Sequence, residues 1–300
     1  ALGLQLPGSS FVNPSDPMRE RLTIEACHQL ARVTALGNDY RPVGEVVDAR
    51  SIVNATVALL ASGGSTNHTM HLVAIARAAG IIINWDDIAD LSTAVPLLAR
   101  VYPNGNADVN HFHAAGGTSC MFRQLLDAGL MHADAKTVWG ECFASFTQES
   151  FVENDKIVWR ESPQNPLDLE VLTTTEHAFS DEGGIRLLTG NLGRGVIKVS
   201  AVDLEHQIVE APIVVINDQN ELEPRRTETR GRTEAEDGDR RRRAEDRGPE
   251  DGRAPQTSGS MRVALPSPPC YLRCPPRPSP VAPGSHEAGP RVPALSWLSP

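Results

Sequence analysis

The composition of this 300-residue chain breaks at about Leu222, and the break limits what can fold. All three lysines (Lys136, Lys156 and Lys198) precede it; the last Ile is Ile216, the last Phe is Phe179 and the last Asn is Asn220. Beyond it lie runs such as Arg240-Arg241-Arg242-Arg243 and Pro266-Ser267-Pro268-Pro269. No apolar periodicity of 2 or 3.6 survives there. Such a segment cannot bury enough apolar surface to offset its ordering entropy, so residues 222–300 read as a disordered tail. Arg, Pro, Gly, Ala and Ser without Lys, Ile, Phe or Asn are also what a GC-rich gene yields out of frame. An Arg-rich nucleic-acid arm is the weakest reading, because acidic residues interleave with the arginines and leave little net charge for phosphate.

Residues 1–221 have the character of a folded protein. The formal net charge of −10 over the full 300 residues argues against a general nucleic-acid or membrane binder. No run of 18 apolar residues predicts a membrane span. Ala1-Leu2-Gly3-Leu4 begins no signal peptide, and the missing initiator Met suggests an internal start. Five widely spaced cysteines (Cys27, Cys120, Cys142, Cys270 and Cys274) form no disulfide framework, which makes a reducing, cytoplasmic setting the default.

Asp16-Pro17 predicts a helix start, with Leu22, Ala26, Leu30 and Val33 on one face and Gly37 as the stop. Further helices are expected from Asp48 to Ser62, from Ser65 or Thr66 to Ala79, from Asp86, from Asp108, and after Gly116-Gly117 to Gly129. Ile81-Ile82-Ile83 reads as a short buried strand and Leu97 to Tyr102 as extended chain. After residue 176 the β-rich runs Ile185 to Leu188, Val196 to Val202 and Val209 to Ile216 alternate with Gly, Asn and Asp. The expectation is an α/β fold. A helix-rich segment, 1–180, is followed by the first strands of a truncated β-barrel-like domain, 181–221, and then by the tail, 222–300.

Three stretches could carry chemistry. In Ser62-Gly63-Gly64-Ser65-Thr66-Asn67-His68-Thr69-Met70-His71, a Gly pair lets backbone approach a ligand, and the following helix start offers N–H groups to an anion. An ordinary Ser/Thr-capped helix turn would look the same. Tyr102 to Gly117 is dense in polar groups, including Asn104, Asp108, Asn110, His111 and His113. The two histidines, at i and i+2, point to different faces of a helix, so a shared metal is disfavoured. A turn, a cap and a satisfied histidine remain the alternative. Gly183 to Gly195 fits hairpin turns as well as it fits a binding loop.

In this order and spacing, the three stretches resemble the dihydroxy-acid dehydratase / 6-phosphogluconate dehydratase family. Gly63-Gly64-Ser65-Thr66-Asn67 with His71-Leu72 and Ala74-Ile75-Ala76 is similar to one of its signature motifs. Asn67-His68-Thr69, Leu97 to Gly105 and Ala107 to His113 look like its 6-phosphogluconate branch, and Leu6 to Phe11 and Gly190 to Arg194 also fit. The similarity covers residues 1 to about 221.

The resemblance implies a hydro-lyase of the Entner–Doudoroff pathway that removes water from C2 and C3 of 6-phospho-D-gluconate. It also implies a 4Fe–4S cluster, with a divalent metal ion as a further option, and a cytoplasmic homodimer with no nucleic-acid or membrane partner. Another sugar-acid or dihydroxy-acid dehydratase of the same family is the alternative. A non-catalytic fragment or a binding protein with an Arg-rich tail is the alternative of a different class. Substrate contacts are expected from Ser65, Thr66, Asn67, His71, Asn104, Asp108 and Asn110. No catalytic base or metal ligand is expected in this chain, because the family's cluster cysteines precede its Leu-Pro-Gly-Ser stretch and its serine base follows in the β-domain. The tail stands where that β-domain should continue, which favours the out-of-frame reading and predicts an inactive chain.

Overall fold

Aspartates and an asparagine open most of the helices that frame this fold, and each does so through its side chain. The computed structural model describes residues 1–211, 216–225 and 261–264. The described residues fall into two units, Ala1–Asp203 and one beginning at Leu204.

In the first unit, helix α1 (Pro17–Val33) starts where Asp16 accepts a hydrogen bond from Met18 N, with Pro17 supplying a preset φ. Its inward face is Leu22, Gln29 and Val33; Leu30, expected inside, is 63% exposed, and Ala26 is exposed too. Gln29 takes the inner position because its Nε2 donates to Val138 O at 2.6 Å. A single turn, α2 (Val43–Val46), leads to α3 (Ala49–Ser62), capped reciprocally by Asp48 and Ser51.

Ten of the 14 residues of α3 are buried, which makes it the central helix of the unit. Its polar Asn54, fully buried, is satisfied at both ends of its amide: Nδ2 donates to His132 O at 2.9 Å and Oδ1 accepts from His132 N at 2.7 Å. Gly63, in the left-handed region at φ 56°, ends α3 while Gly64 N bonds back to Leu59 O at 3.0 Å.

Helix α4 (Asn67–Ala78) follows, then α5 (Trp85–Ala94), α6 (Val109–Ala114) and α7 (Gly117–Asp127). Asn84, not the expected Asp86, caps α5, because Asp87 reaches back to Asn84 N and completes a capping box. Ile81-Ile82-Ile83 is irregular rather than a strand. Ile81 N closes the end of α4 by bonding to Ala76 O at 2.8 Å, Ile81 and Ile83 pack on Val47, Ile52 and Ala76, and Ile82 is 75% exposed.

The main core gathers α3, α5, α6 and α7 with the extended Leu97–Val101 segment, Phe143, Phe146, Leu172 and Ile185. The extended segment forms only isolated bridges, from Leu97 to Ser180, Ala99 to Leu172 and Val101 to Ala107. A ladder of rings runs from Phe122 to Phe143 (5.2 Å) to Phe146 (4.8 Å). A smaller core sets Leu6, Val12 and Leu22 against Trp139 and Trp159, whose indole N–H donates to Pro7 O at 3.0 Å.

The strands form two-stranded antiparallel ladders, and no closed barrel forms among the described residues. β1 (Gln148–Glu153) and β2 (Lys156–Glu161) make a hairpin absent from the sequence expectation, turning at Asn154 and Asp155 with φ of 47° and 69°. β3 (Arg186–Gly190) pairs with β4 (Gly193–Ile197), and a 3-10 turn, Val199–Ala201, replaces the rest of the expected Val196–Val202 run.

In the second unit, β5 (Ile208–Ala211) pairs with β6 (Met261–Ala264), and Asp218 caps the short turn Gln219–Glu221. Most of the tail expected from 222 lies outside the described residues; within it, residues 222–225 form a helical turn and β6 is a strand. Among the described residues, no helix is long and apolar enough to cross a membrane.

Candidate functional site

The three singled-out stretches meet around Gly63, which Asn104 and Gly184 both approach. The C-terminal turn of α3 presents the Gly63 carbonyl, and Asn104 Nδ2 donates to it at 2.9 Å. Asn104 itself sits in a tight loop, with its N–H on Val101 O at 2.9 Å and Tyr102 N on Ala107 O at 2.8 Å. Its Oδ1 accepts from Ser200 Oγ at 2.9 Å, and the same hydroxyl lies 3.3 Å from Gly184 O. Gly184 N reaches Leu60 O, in the last turn of α3, at 3.4 Å.

Two glycines make this approach possible. A Cβ on Gly184 would stand 3.1 Å from Gly63 Cα, and one on Gly63 would run into the Asn104 amide and stand 3.0 Å from Leu97 Cδ1. The seam is therefore backbone against backbone, with one amide side chain locked across it.

The remaining predicted residues lie on either side. Ser65 Oγ accepts from Asn67 N at 3.3 Å, while His68 N and Thr69 N bond to Ser65 O and Thr66 O at 3.0 Å each. The N–H groups expected to be free at the start of α4 are thus already engaged by a local turn. Asn67 and His71 sit one turn apart and exposed on α4.

Across the loop, Asp108 caps α6 by accepting from Asn110 N (2.9 Å) and His111 N (3.0 Å), and it also takes a bond from His111 Nδ1 at 2.8 Å. A carboxylate only accepts, so His111 carries its proton on Nδ1. These donors, the His111 N–H first and its ring second, hold the Asp108 carboxyl down at about 2. Among the described residues, no hydrogen bond joins Ser65, Thr66, Asn67 or His71 to Asn104, Asp108 or Asn110.

Asp108 is thus expected to stay ionised down to strongly acid pH. A folded value below the usual 3.8 means its contribution to stability is complete above about pH 4 and is lost as pH falls toward about 2. Replacing His111 by Ala should raise the Asp108 value while leaving it below 3.8, because the backbone donors remain. A carboxyl carbon NMR titration of the two chains checks this; an unchanged midpoint would remove the ring from the account.

Sequence reasoning missed Ser200 and Lys198, which share one turn: Ala201 N bonds to Lys198 O at 3.3 Å. Lys198 is half-buried, its ammonium is pushed down by burial, and it has no ion pair among the described residues. The available signal was faint, two polar residues inside the apolar run Val196 to Val202.

The described cysteines do not make a cluster site. Cys120 is buried beneath Gly116 with its thiol pushed up to about 11, mainly by burial; Cys27 and Cys142 are exposed on α1 and before Phe143. Among the described residues, no cysteine belongs to a group of three side chains close enough to share an ion.

The chain shares its sequence pattern with a class of dehydratases. It belongs to the dihydroxy-acid/6-phosphogluconate dehydratase family, whose N-terminal model matches residues 1–146 and whose C-terminal model matches residues 170–237. It is similar to the phosphogluconate dehydratase of Pseudomonas aeruginosa, 56% identical over 221 residues, which are 74% of this chain and 36% of that protein. The phosphogluconate dehydratase of Escherichia coli K12 is 53% identical over 223 residues, 74% of this chain and 37% of that protein. The dihydroxy-acid dehydratase of Caldanaerobacter subterraneus is 34% identical over 223 residues, 74% of this chain and 37% of that protein. The chain thus spans little more than a third of the length of these relatives.

Proposed function

We propose that these residues form part of a 6-phosphogluconate dehydratase, which takes water from 6-phospho-D-gluconate to leave 2-dehydro-3-deoxy-6-phosphogluconate. The C2–H and C3–O bonds break, and the resulting enol becomes the 2-oxo acid. The observation that supports this reading is the meeting of the three family stretches around Gly63, which Asn104 and Gly184 both approach, in a chain that shares 56% of 221 residues with a phosphogluconate dehydratase.

Each side chain suits a part of the substrate. Asn104 offers its second amide hydrogen to a substrate oxygen. Ionised Asp108 accepts from sugar hydroxyls and repels phosphate, so the phosphate belongs elsewhere. Ser65 and Thr66 supply hydroxyls, Asn67 an amide and His71 a ring nitrogen, and Asn110 stands beside Asp108. Lys198 supplies charge: burial penalises its ammonium, and a bound anion would offset that penalty. The 4Fe–4S cluster implied by the family is not held by the described cysteines, which are scattered and do not fit it. A cytoplasmic homodimer is the setting this reading implies.

The test is a chimera: the P. aeruginosa relative with its matching segment replaced by residues 1–221. It is expected to turn over 6-phospho-D-gluconate, with Asn104→Ala lowering kcat/KM by roughly 100-fold through misplacement of the substrate. The unmodified 300-residue chain is expected to give no turnover. A chimera that dehydrates 2,3-dihydroxy-3-methylbutanoate and ignores the phosphorylated acid would move the assignment to the dihydroxy-acid branch.

A further inference from the structure

We infer that Ser200 is a positioning residue that fixes the orientation of the Asn104 amide and so aims one of its N–H groups at the ligand; this rests on the proposed site above. An asparagine amide has two nearly isosteric ends, and nothing in its own stereochemistry decides which faces which neighbour. Here the surroundings decide. The Gly63 carbonyl can only accept, so the atom 2.9 Å from it must be Nδ2. That leaves Oδ1 to face Ser200, whose hydroxyl is 2.9 Å away and has one hydrogen to give. Its other possible acceptor, Gly184 O, is farther at 3.3 Å, so the hydrogen goes to Asn104.

With Oδ1 and one Nδ2–H engaged, the second Nδ2–H has a single defined direction. A lone contact with Gly63 would leave the amide free to swing about Cγ. The contact from Ser200 adds a second point and turns the group into a fixed donor.

The position of Ser200 is itself held. Its N–H lies 3.4 Å from Gly184 O, and it sits within the 3-10 turn Val199–Ala201 that follows β4. Gly184 is the one residue type that admits this hydroxyl, since a Cβ there would lie 3.1 Å from Ser200 Cβ and 2.5 Å from its Oγ. The residues flanking hairpin β3–β4 thus contribute to a site whose other parts, Asn104 and Gly63, lie about 100 and 140 residues before Ser200 in the chain.

The experiment follows the Asn104 side-chain NH2 signals by NMR in the 300-residue chain and in its Ser200→Ala and Ser200→Thr variants. Ser200 is half-exposed, and unchanged backbone signals in α3 and α4 confirm that each variant folds. In the parent chain the two Nδ2 hydrogens are expected to exchange with water at rates at least tenfold apart, one held by Gly63 O and one open. Ser200→Ala should bring the two rates within about threefold, and Ser200→Thr, which keeps the hydroxyl, should restore the difference. Added 6-phospho-D-gluconate should shift the open hydrogen in the parent chain and in Ser200→Thr, and bind Ser200→Ala about tenfold more weakly.

An unchanged exchange pattern in Ser200→Ala would overturn the positioning role. So would a clasp that responds to Ser200 while neither 6-phospho-D-gluconate nor 2,3-dihydroxy-3-methylbutanoate moves the open hydrogen. If only the dihydroxy acid moves it, Ser200 keeps its role and the phosphogluconate assignment is the part that fails.

Discussion

Gly63→Ala is expected to lower the stability of the chain by about 2–5 kcal/mol, the sum of two separable costs. The first is conformational: Gly63 sits at φ 56°, and a left-handed conformation costs an L-residue roughly 1–2 kcal/mol. The second is local to the seam. The new methyl would occupy the space of the Asn104 amide, so Asn104 must leave and surrender its bonds to Gly63 O and Ser200, each with a net worth of about 0.5–1.5 kcal/mol. Gly80→Ala isolates the first cost. Gly80 also has a positive φ, 78°, and a Cβ there meets nothing within 4 Å. Urea unfolding of the two variants should therefore differ by the seam alone. Equal losses would mean that the Asn104 contacts contribute nothing to stability.

Phe143→Ala is expected to cost about 3–5 kcal/mol, in the range for removing a buried aromatic ring. The ring is 1% exposed, stacks on Phe146 with an interplanar angle of 5° and tilts against Phe122 at 58°. Its neighbours come from α7 and from its own turn, Phe143–Thr147, so the gap has two rigid walls and little freedom to close. Leu36→Ala, at a fully exposed side chain, should leave stability unchanged within about 0.5 kcal/mol. A loss below about 1 kcal/mol at Phe143 would show that the aromatic ladder is not a packed core.

The helix starts at Asp16, Asp48 and Asp108 were legible because a cap is a local event, written in residues that touch one another. The turn glycines Gly63 and Gly80 were legible for the same reason. Apolar residues misled where the partner was remote. Leu30 has helical spacing but faces solvent, since Gln29 found a carbonyl 109 residues away. The Ile81–Ile83 run has strand composition, yet the end of α4 claims its first N–H. The β1–β2 hairpin did carry a signal, Asn154-Asp155 between the β-forming runs Phe151-Val152 and Ile157-Val158-Trp159, since two central residues with φ above zero suit the tight turn. In the candidate site, Asn104 could be chosen from its stretch, but its link to Gly63 spans 41 residues and its link to Ser200 spans 96. No local pattern encodes such a link, and a serine after a strand carries no motif of its own.

The seam at Asn104 is built from carbonyls, an amide and a hydroxyl, with no formal charge in any of its bonds. Added salt therefore has nothing there to screen, while it weakens the pull of any lysine on an anionic ligand from a distance. Recruitment and alignment in this site are separate properties: ionic strength can tune how often an anionic ligand arrives without altering the frame that receives it.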